Sequence, residues 1–320
     1  MAAMIQPDDI DFAAYERKTE ARVKVKAASL YADELWAEFD RSTVKVRHPS
    51  MRSTKLRGLL DFRPGEVTTW AGFNGHRKSM FTGQVALDLA MQMQRVLVAS
   101  FEMQPARTLS RMARQAFGRS DLHREDVQDF NAWSDGRVWI FDHLGRASPE
   151  MVLGVCRYFA EELDGHHVFI DSLMMVCASE DRMDEQKQFI TDLVRLAKET
   201  GLHIHLIAHV RKPQGGHDGE AKPPTKYDLR GSAAISDQVD NVGMIWANRA
   251  KKAKLERNSA DSEALEMPDA VVVIDKQRNA EFEGSVKLWF HPDSFRFTNE
   301  RTTPVEPYRL RPLDQQELGA

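Results

Sequence analysis

Residues Gly72–Ser79 read GFNGHRKS, a glycine-bearing octet that ends in a lysine and a hydroxyl. Backbone N–H groups of such a loop point inward at phosphate oxygens, and a helix starting beside it adds partial positive charge. On this reading Gly72, Asn74, Gly75, His76, Arg77, Lys78 and Ser79 surround a nucleotide's phosphates. Lys78 contacts the terminal phosphates and Ser79 ligates Mg2+. The pattern G-x-x-x-x-G-K-[ST] wants glycine just before the lysine, where this chain has Arg77. A side chain there either crowds the phosphates and restricts the backbone, or points outward and does no harm. The plain alternative is a solvated glycine turn between a strand and a helix.

Further polar residues follow apolar runs downstream. Glu102 comes after one run, Asp171 after another, then His209 and Arg211, then Lys276 and Arg278. A carboxylate, a second carboxylate beside Mg2+, a polar sensor and two cations suit phosphoryl transfer to water. Each alone reads as a helix cap or a solvated residue. Their joint order after a phosphate loop is harder to obtain by accident.

Strands and helices must place these groups. The runs 66–71, 95–100, 137–141, 167–171, 202–208, 241–247 and 271–274 are β-branched or apolar and read as strands. Helical patterns run through 79–93, from Pro105, from Pro149 and through 186–200. Apolar strands separated by helices predict an α/β fold with a mainly parallel sheet flanked by helices. In such sheets ligands sit at the carboxyl ends of the strands.

Three regions are expected. Residues 1–50 form a charged helical arm, in which Tyr31, Leu35, Trp36 and Phe39 share one face. That stripe packs either on its own core or on a neighbouring subunit. Residues 51–298 form the α/β domain, and 299–320 a polar, mobile tail. A length of 320 residues and 42% hydrophobic content suit one large domain with an appendage. No apolar stretch is long enough to span a bilayer, and the N-terminus lacks a signal-peptide pattern. Cys156 and Cys177 form no metal-ligand cluster and read as buried thiols of a reducing compartment. The net charge of −4 excludes a basic nucleic-acid coat, so any DNA contact must be local.

With these residues in view, the chain resembles the RecA-like motor domain of DnaB-type replicative hexameric helicases, closest to the phage primase-helicase and Twinkle branch. The resemblance spans roughly residues 50–298. It rests on GFNGHRKS at 72–79, SFEMQPARTLSRM at 100–112, VFIDSL at 168–173, HLIAHVRKP at 205–213, YDLRGSAAISDQVDN at 227–241, VIDKQRN at 273–279 and GSVKLWFHPDSFRF at 284–297. It implies a RecA-like phosphate-loop core and a hydrolase of ATP, or another NTP, with Mg2+ held by Ser79 and Asp171. Glu102 resembles the general base, His209 the sensor of the γ-phosphate, and Lys276 with Arg278 the pair presented to a neighbour's nucleotide. Arg278 would be the arginine finger.

The segment 211–228 lacks periodicity and is rich in Gly, Pro and Lys, so it reads as a mobile loop. Within 209–232, Arg211, Lys212, Lys222, Lys226 and Arg230 outnumber Asp218, Glu220 and Asp228. Composition alone fits an ordinary solvated loop. The resemblance makes it a single-stranded DNA contact, with Arg211, Arg230 and Gly231 on the family's DNA-loop positions. Only Tyr227 offers an aromatic face, so backbone tracking is expected over base stacking. The resemblance further implies a homo-oligomer, a hexameric ring, in the cytoplasm of a bacterial or phage-infected cell. A primase domain is not expected within the chain, so priming would fall to a separate protein. Two other functions stay open: a RecA-like recombination ATPase, and a DNA- or partner-binding ring whose hydrolysis Arg77 impairs.

Overall fold

The computed structural model describes residues 27–39, 48–53, 55–177, 183–211, 220–231 and 233–310. The chain divides into Met1–Arg47 and His48–Ala320. In the first unit the described part is a helix, α1 (Ala32–Phe39), with a short 3-10 turn before it. Leu30, Tyr31, Leu35 and Trp36 are exposed there. The side chain of Phe39, expected on the same stripe, lies outside the described residues.

The second unit is built on a nine-stranded sheet in the order β3-β2-β4-β5-β1-β6-β7-β8-β9. The strands are β1 (Val67–Gly72), β2 (Val96–Ser100), β3 (Val138–Ile140), β4 (His167–Asp171), β5 (His203–His209), β6 (Asn241–Ala247), β7 (Ala270–Gln277), β8 (Gly284–His291) and β9 (Arg296–Thr298). β3 through β6 in that order are parallel, and β7, β8 and β9 run antiparallel. This is the RecA-like arrangement expected, with an antiparallel edge.

Successive strand residues point to opposite faces, so an all-apolar strand needs cover on both. Val67, Leu97, Ala99, Val168, Ile170, Ile204 and Leu206 pack into one core layer. That layer is covered by α5 (Pro149–Glu162) and α7 (Met183–Thr200), through Cys156, Phe159, Phe189 and Leu193. Trp70, Val96, Val98, Phe169 and Ile207 pack into the other. It is covered by α2 (Lys78–Ala90), α3 (Pro105–Phe117) and α4 (Arg124–Ser134), through Phe81, Val85, Met112, Phe130 and Trp133. Local signals set the ends. Pro105 opens α3 and Gly118, at φ 73°, closes it. The Ser148 hydroxyl caps α5 by accepting from the Met151 N–H.

The connection from β6 to β7 departs from the expected strand–helix alternation. It contains two short helices, α9 (Arg249–Arg257) and α10 (Ser262–Glu266), after the one-turn helices α6 (Leu173–Val176) and α8 (Ala234–Asp237) earlier in the chain. A single crossover helix returns the chain to the sheet's starting end, whereas a helical pair returns it at the same end. β7 therefore runs antiparallel to β6. Residues 300–310, read above as part of a polar tail, are held on the domain. Tyr308 donates its hydroxyl to Asp88 (2.7 Å) and its N–H to the Ala116 carbonyl, and Arg296 sits over its ring. Residues 311–320 lie outside the described residues.

Candidate functional site

The carboxyl ends of β1, β2, β4 and β5 meet at one edge, with Gly72 paired to His209 and Ser100 to Asp171. Between these ends and the start of α2 lies a cleft of about 480 Å3. Asn74, Gly75, Arg77, Lys78, Ser79, Glu102, Arg111, Asp171 and His209 line it. Gly72 is required by close approach, since a Cβ there would run into the Ile245 carbonyl of β6. Gly75 takes φ 75°, which glycine adopts without strain.

Lys78 Nζ donates to the carbonyls of Gly72 (3.0 Å) and Phe73 (3.1 Å) and lies 3.3 Å from His209 Nδ1. Burial lowers its pKa to about 8, against the pull of Asp171 and Glu102. His209 is shifted down by burial and by the adjacent Lys78 charge, which suits a neutral ring whose Nδ1 accepts. Ser79 Oγ donates to Asp171 Oδ2 at 2.7 Å, and Ser172 Oγ to Glu102 Oε1 at 3.0 Å. Burial raises the pKa of Asp171, and the nearby Glu102 adds to the rise. A cation would relieve both effects. A hydroxyl and a carboxylate in contact are the hard oxygen donors Mg2+ takes, with phosphate and water completing its shell. Among the described residues no group of three or more His, Cys, Asp or Glu could hold a metal by itself.

Arg77 has φ 64° and ψ 25°, the left-handed conformation that explains the usual glycine. Its guanidinium lies over the Phe290 ring of β8, 3.9 Å from the centroid. Burial lowers its pKa while Asp269 opposes the shift. Of the two outcomes left by the sequence, the side chain takes the one directed outward. The His76 side chain turns away from the cleft. Its ring is fully buried, with Nδ1 accepting from the Ala247 N–H and Nε2 facing Glu220. It braces the loop from behind.

Lys276 and Arg278 do not join the cleft. Because β7 is antiparallel, Gln277 pairs with Asn241 at the start of β6, opposite Thr68 at the start of β1. That end is roughly 13 Å along β1 from Gly72 at about 3.3 Å per residue. Lys276 Nζ donates to the carbonyls of Ser236, Asp237 and Val239, and Arg278 pairs with Asp240 at 3.0 Å. The two cations thus stand at the opposite end of the strands from the phosphate loop of their own chain.

The basic segment leaves β5 directly. Val210 bridges Leu229, the Arg230 N–H donates to the His209 carbonyl, and the Arg211 N–H to the Asp228 carbonyl. Arg211 and Lys222 are exposed, and Tyr227 is 80% exposed. Lys226 is half-buried, and both its N–H and its Nζ bond Asp275. Gly231 has φ 114° and packs against Gln186. Lys212 lies outside the described residues. Sequence reasoning missed Arg111, which lines the cleft from α3 nine residues past Glu102 within SFEMQPARTLSRM. It also missed Phe290, for which only tertiary packing carries a signal.

Residues 54–299 match the family described as the DnaB-like helicase C terminal domain. Over 208 residues, 59% of the chain, it is 26% identical to a DNA helicase/primase of Enterobacteria phage T3. The chain spans 37% of that relative's length. The fold is similar to a solved structure described as an ATPase domain, with TM-score 0.59 and 19% identity over 74% of this chain and 86% of that one. It is also similar to a DnaB-like replicative helicase solved for its interactions with primase. There the TM-score is 0.66 and the identity 18%, over 90% of this chain and 71% of the other. Among the described residues no helix is long and apolar enough to cross a membrane.

Proposed function

We propose, for a chain that belongs to the DnaB-like helicase C-terminal domain family, the role of an ATP-driven motor that translocates on single-stranded DNA as a ring. One observation carries it. Lys78, Ser79, Glu102, Asp171 and His209 converge in a single cleft, while Lys276 and Arg278 stand at the opposite end of the sheet. A hydrolytic site of this kind is complete only when a second copy brings its own Arg278 to the first copy's cleft. Assembly then becomes a requirement of the chemistry, and a closed ring, a hexamer, satisfies it for every subunit.

The residue roles follow from position. Lys78 and the loop N–H groups bind the β- and γ-phosphates of ATP. Ser79 and Asp171 would hold Mg2+, which neutralises charge on those phosphates. Glu102, held by Ser172, orients the attacking water and accepts its proton. His209 touches both Lys78 and, through its backbone, the basic segment, so it reports the phosphate state to Arg211, Lys222 and Arg230. These cations, with the neighbouring Lys212, track a strand's phosphates. A primase is expected as a separate partner, and the bacterial or phage-infected cytoplasm as the setting.

The test mixes two inactive proteins. Lys78→Ala subunits and Arg278→Ala subunits each lose ATP hydrolysis, and mixing them restores part of it, because some interfaces pair an intact cleft with an intact Arg278. Full activity of Arg278→Ala alone would sink the shared-site reading. An unchanged protein that binds DNA but hydrolyses nothing would instead leave a binding ring.

A further inference from the structure

Glu220 ties the basic segment to the phosphate loop by a route separate from His209. His76 Nδ1 accepts from the Ala247 N–H at 3.1 Å, which places the ring proton on Nε2. That Nε2 lies 3.3 Å from Glu220 Oε2 and donates to it. The same oxygen accepts from Arg249 Nη1 at 2.6 Å, and Arg249 Nη2 donates to the Asn74 carbonyl at 2.7 Å. One carboxylate therefore grips the loop twice, at His76 directly and at Asn74 through Arg249. Trp246 Nε1 donates to the Glu220 carbonyl at 2.7 Å and fixes the backbone beneath it. The Glu220 side chain is 19% exposed and His76 fully buried, so solvent screens this link weakly. Burial keeps His76 neutral, its pKa lowered to about 4, so the ring stays a single-proton donor at neutral pH.

We infer that Glu220 is a positioning residue through which DNA bound to residues 221–231 sets the Asn74–His76 part of the phosphate loop, so that stimulation of ATP hydrolysis by DNA depends on it. The inference rests on the DNA-binding reading of that segment. Tension on the segment reaches Glu220 directly. A shift of its carboxylate carries Arg249 and His76 with it and so moves the Asn74–His76 stretch beside Lys78. Without DNA the loop is held independently of Glu220, by the Ala247 N–H to His76 and by Lys78 Nζ on the Gly72 and Phe73 carbonyls, so the link matters only when the segment moves.

The experiment compares ATP turnover with and without saturating oligo-dT for the unchanged protein, Glu220→Ala, Glu220→Gln, Arg249→Ala and the double alanine variant. Glu220→Ala lowers the stimulation ratio by at least about fivefold, the lower range of coupling between sites. Its DNA-free kcat, its KM for ATP and its affinity for oligo-dT stay within about twofold. Glu220→Gln, which keeps an acceptor toward His76 and Arg249, recovers at least about half the ratio. The double variant loses no more than the worse single one, as expected for residues acting in one chain of contacts. A Glu220→Ala ratio within about twofold of the unchanged protein overturns the inference, as does an equal fall with and without DNA. Losses that multiply in the double variant overturn it too. If oligo-dT neither binds nor stimulates the unchanged protein, the DNA-motor reading fails and takes this inference with it. That result is distinct from a stimulated protein indifferent to Glu220.

Discussion

The guanidinium of Arg77 sits 3.9 Å from the centre of the Phe290 ring, which turns the one irregular letter of the phosphate loop away from the phosphates. The backbone of Arg77 is left-handed, which disfavours any side chain by roughly 1–2 kcal/mol. The contact with Phe290 returns about 0.5–2 kcal/mol.

Arg77→Gly and Arg77→Ala should therefore separate the two effects. Glycine removes the strain along with the contact, and stability changes by less than about 1 kcal/mol. Alanine keeps the strain and loses the contact, costing about 1 kcal/mol or more. ATP turnover of Arg77→Gly stays within about threefold of the unchanged protein, because the guanidinium is held on Phe290. Denaturant unfolding and steady-state hydrolysis check both. A gain of 100-fold or so in turnover on restoring glycine would mean that Arg77 blocks the site after all.

Lys78→Met should split function from stability. Hydrolysis falls by about 100-fold or more, since the cation facing the transferred phosphate is gone. Stability of the nucleotide-free protein stays level or rises, because a charge that burial shifts down to about 8 no longer needs desolvation. A melting temperature well below that of the unchanged protein would contradict this account of Lys78.

Acid should weaken the fold through three core imidazoles. His167, His203 and His205 are buried between Phe62, Trp70 and Phe169, with Phe169 stacked 4.0 Å from His205. Their neutral nitrogens are in use: Trp70 Nε1 donates to His205 Nδ1, Thr68 Oγ1 bonds His203 Nε2, and His203 Nδ1 donates to the Arg63 carbonyl. Burial lowers all three pKa values, to about 4 for His203. The unfolded chain titrates at the ordinary value of 6.5 and binds more protons than the folded one below it. Stability is full above pH 6.5 and falls on acidification from there toward pH 4, by about 3 kcal/mol from His203 alone. Asp88 and Asp171, whose pKa values burial raises, offset part of the loss. Urea unfolding between these pH values measures the slope, and a flat profile would refute the assignment.

Tyr308→Phe should cost about 1–3 kcal/mol, the penalty for leaving a buried acceptor short of a partner. Asp88 is fully buried, and among the described residues its carboxylate keeps the Arg52 N–H alone once the hydroxyl is lost. Thermal unfolding checks this. An unchanged midpoint would mean that residues 300–310 do not hold the domain.

The phosphate loop, the apolar strands and the order of the polar residues that end them are all legible in the chain's letters. Periodicity and glycine placement are local properties, so the apolar run 241–247 marks β6 to its last residue, and the polar residues that follow such runs, Glu102, Asp171 and His209, fall at the strand ends where a ligand sits. Three matters waited for the tertiary structure. The direction of β7 depends on an even pair of helices folding back, and that direction sends Arg278 to the far edge. The orientation of Arg77 depends on Phe290, more than two hundred residues away in sequence, coming to rest beside the loop. The retention of Tyr308 depends on a buried carboxylate, Asp88, with no local signal of its need for a donor. Each is a contact between residues distant along the chain, where composition and spacing carry no information about which surfaces meet.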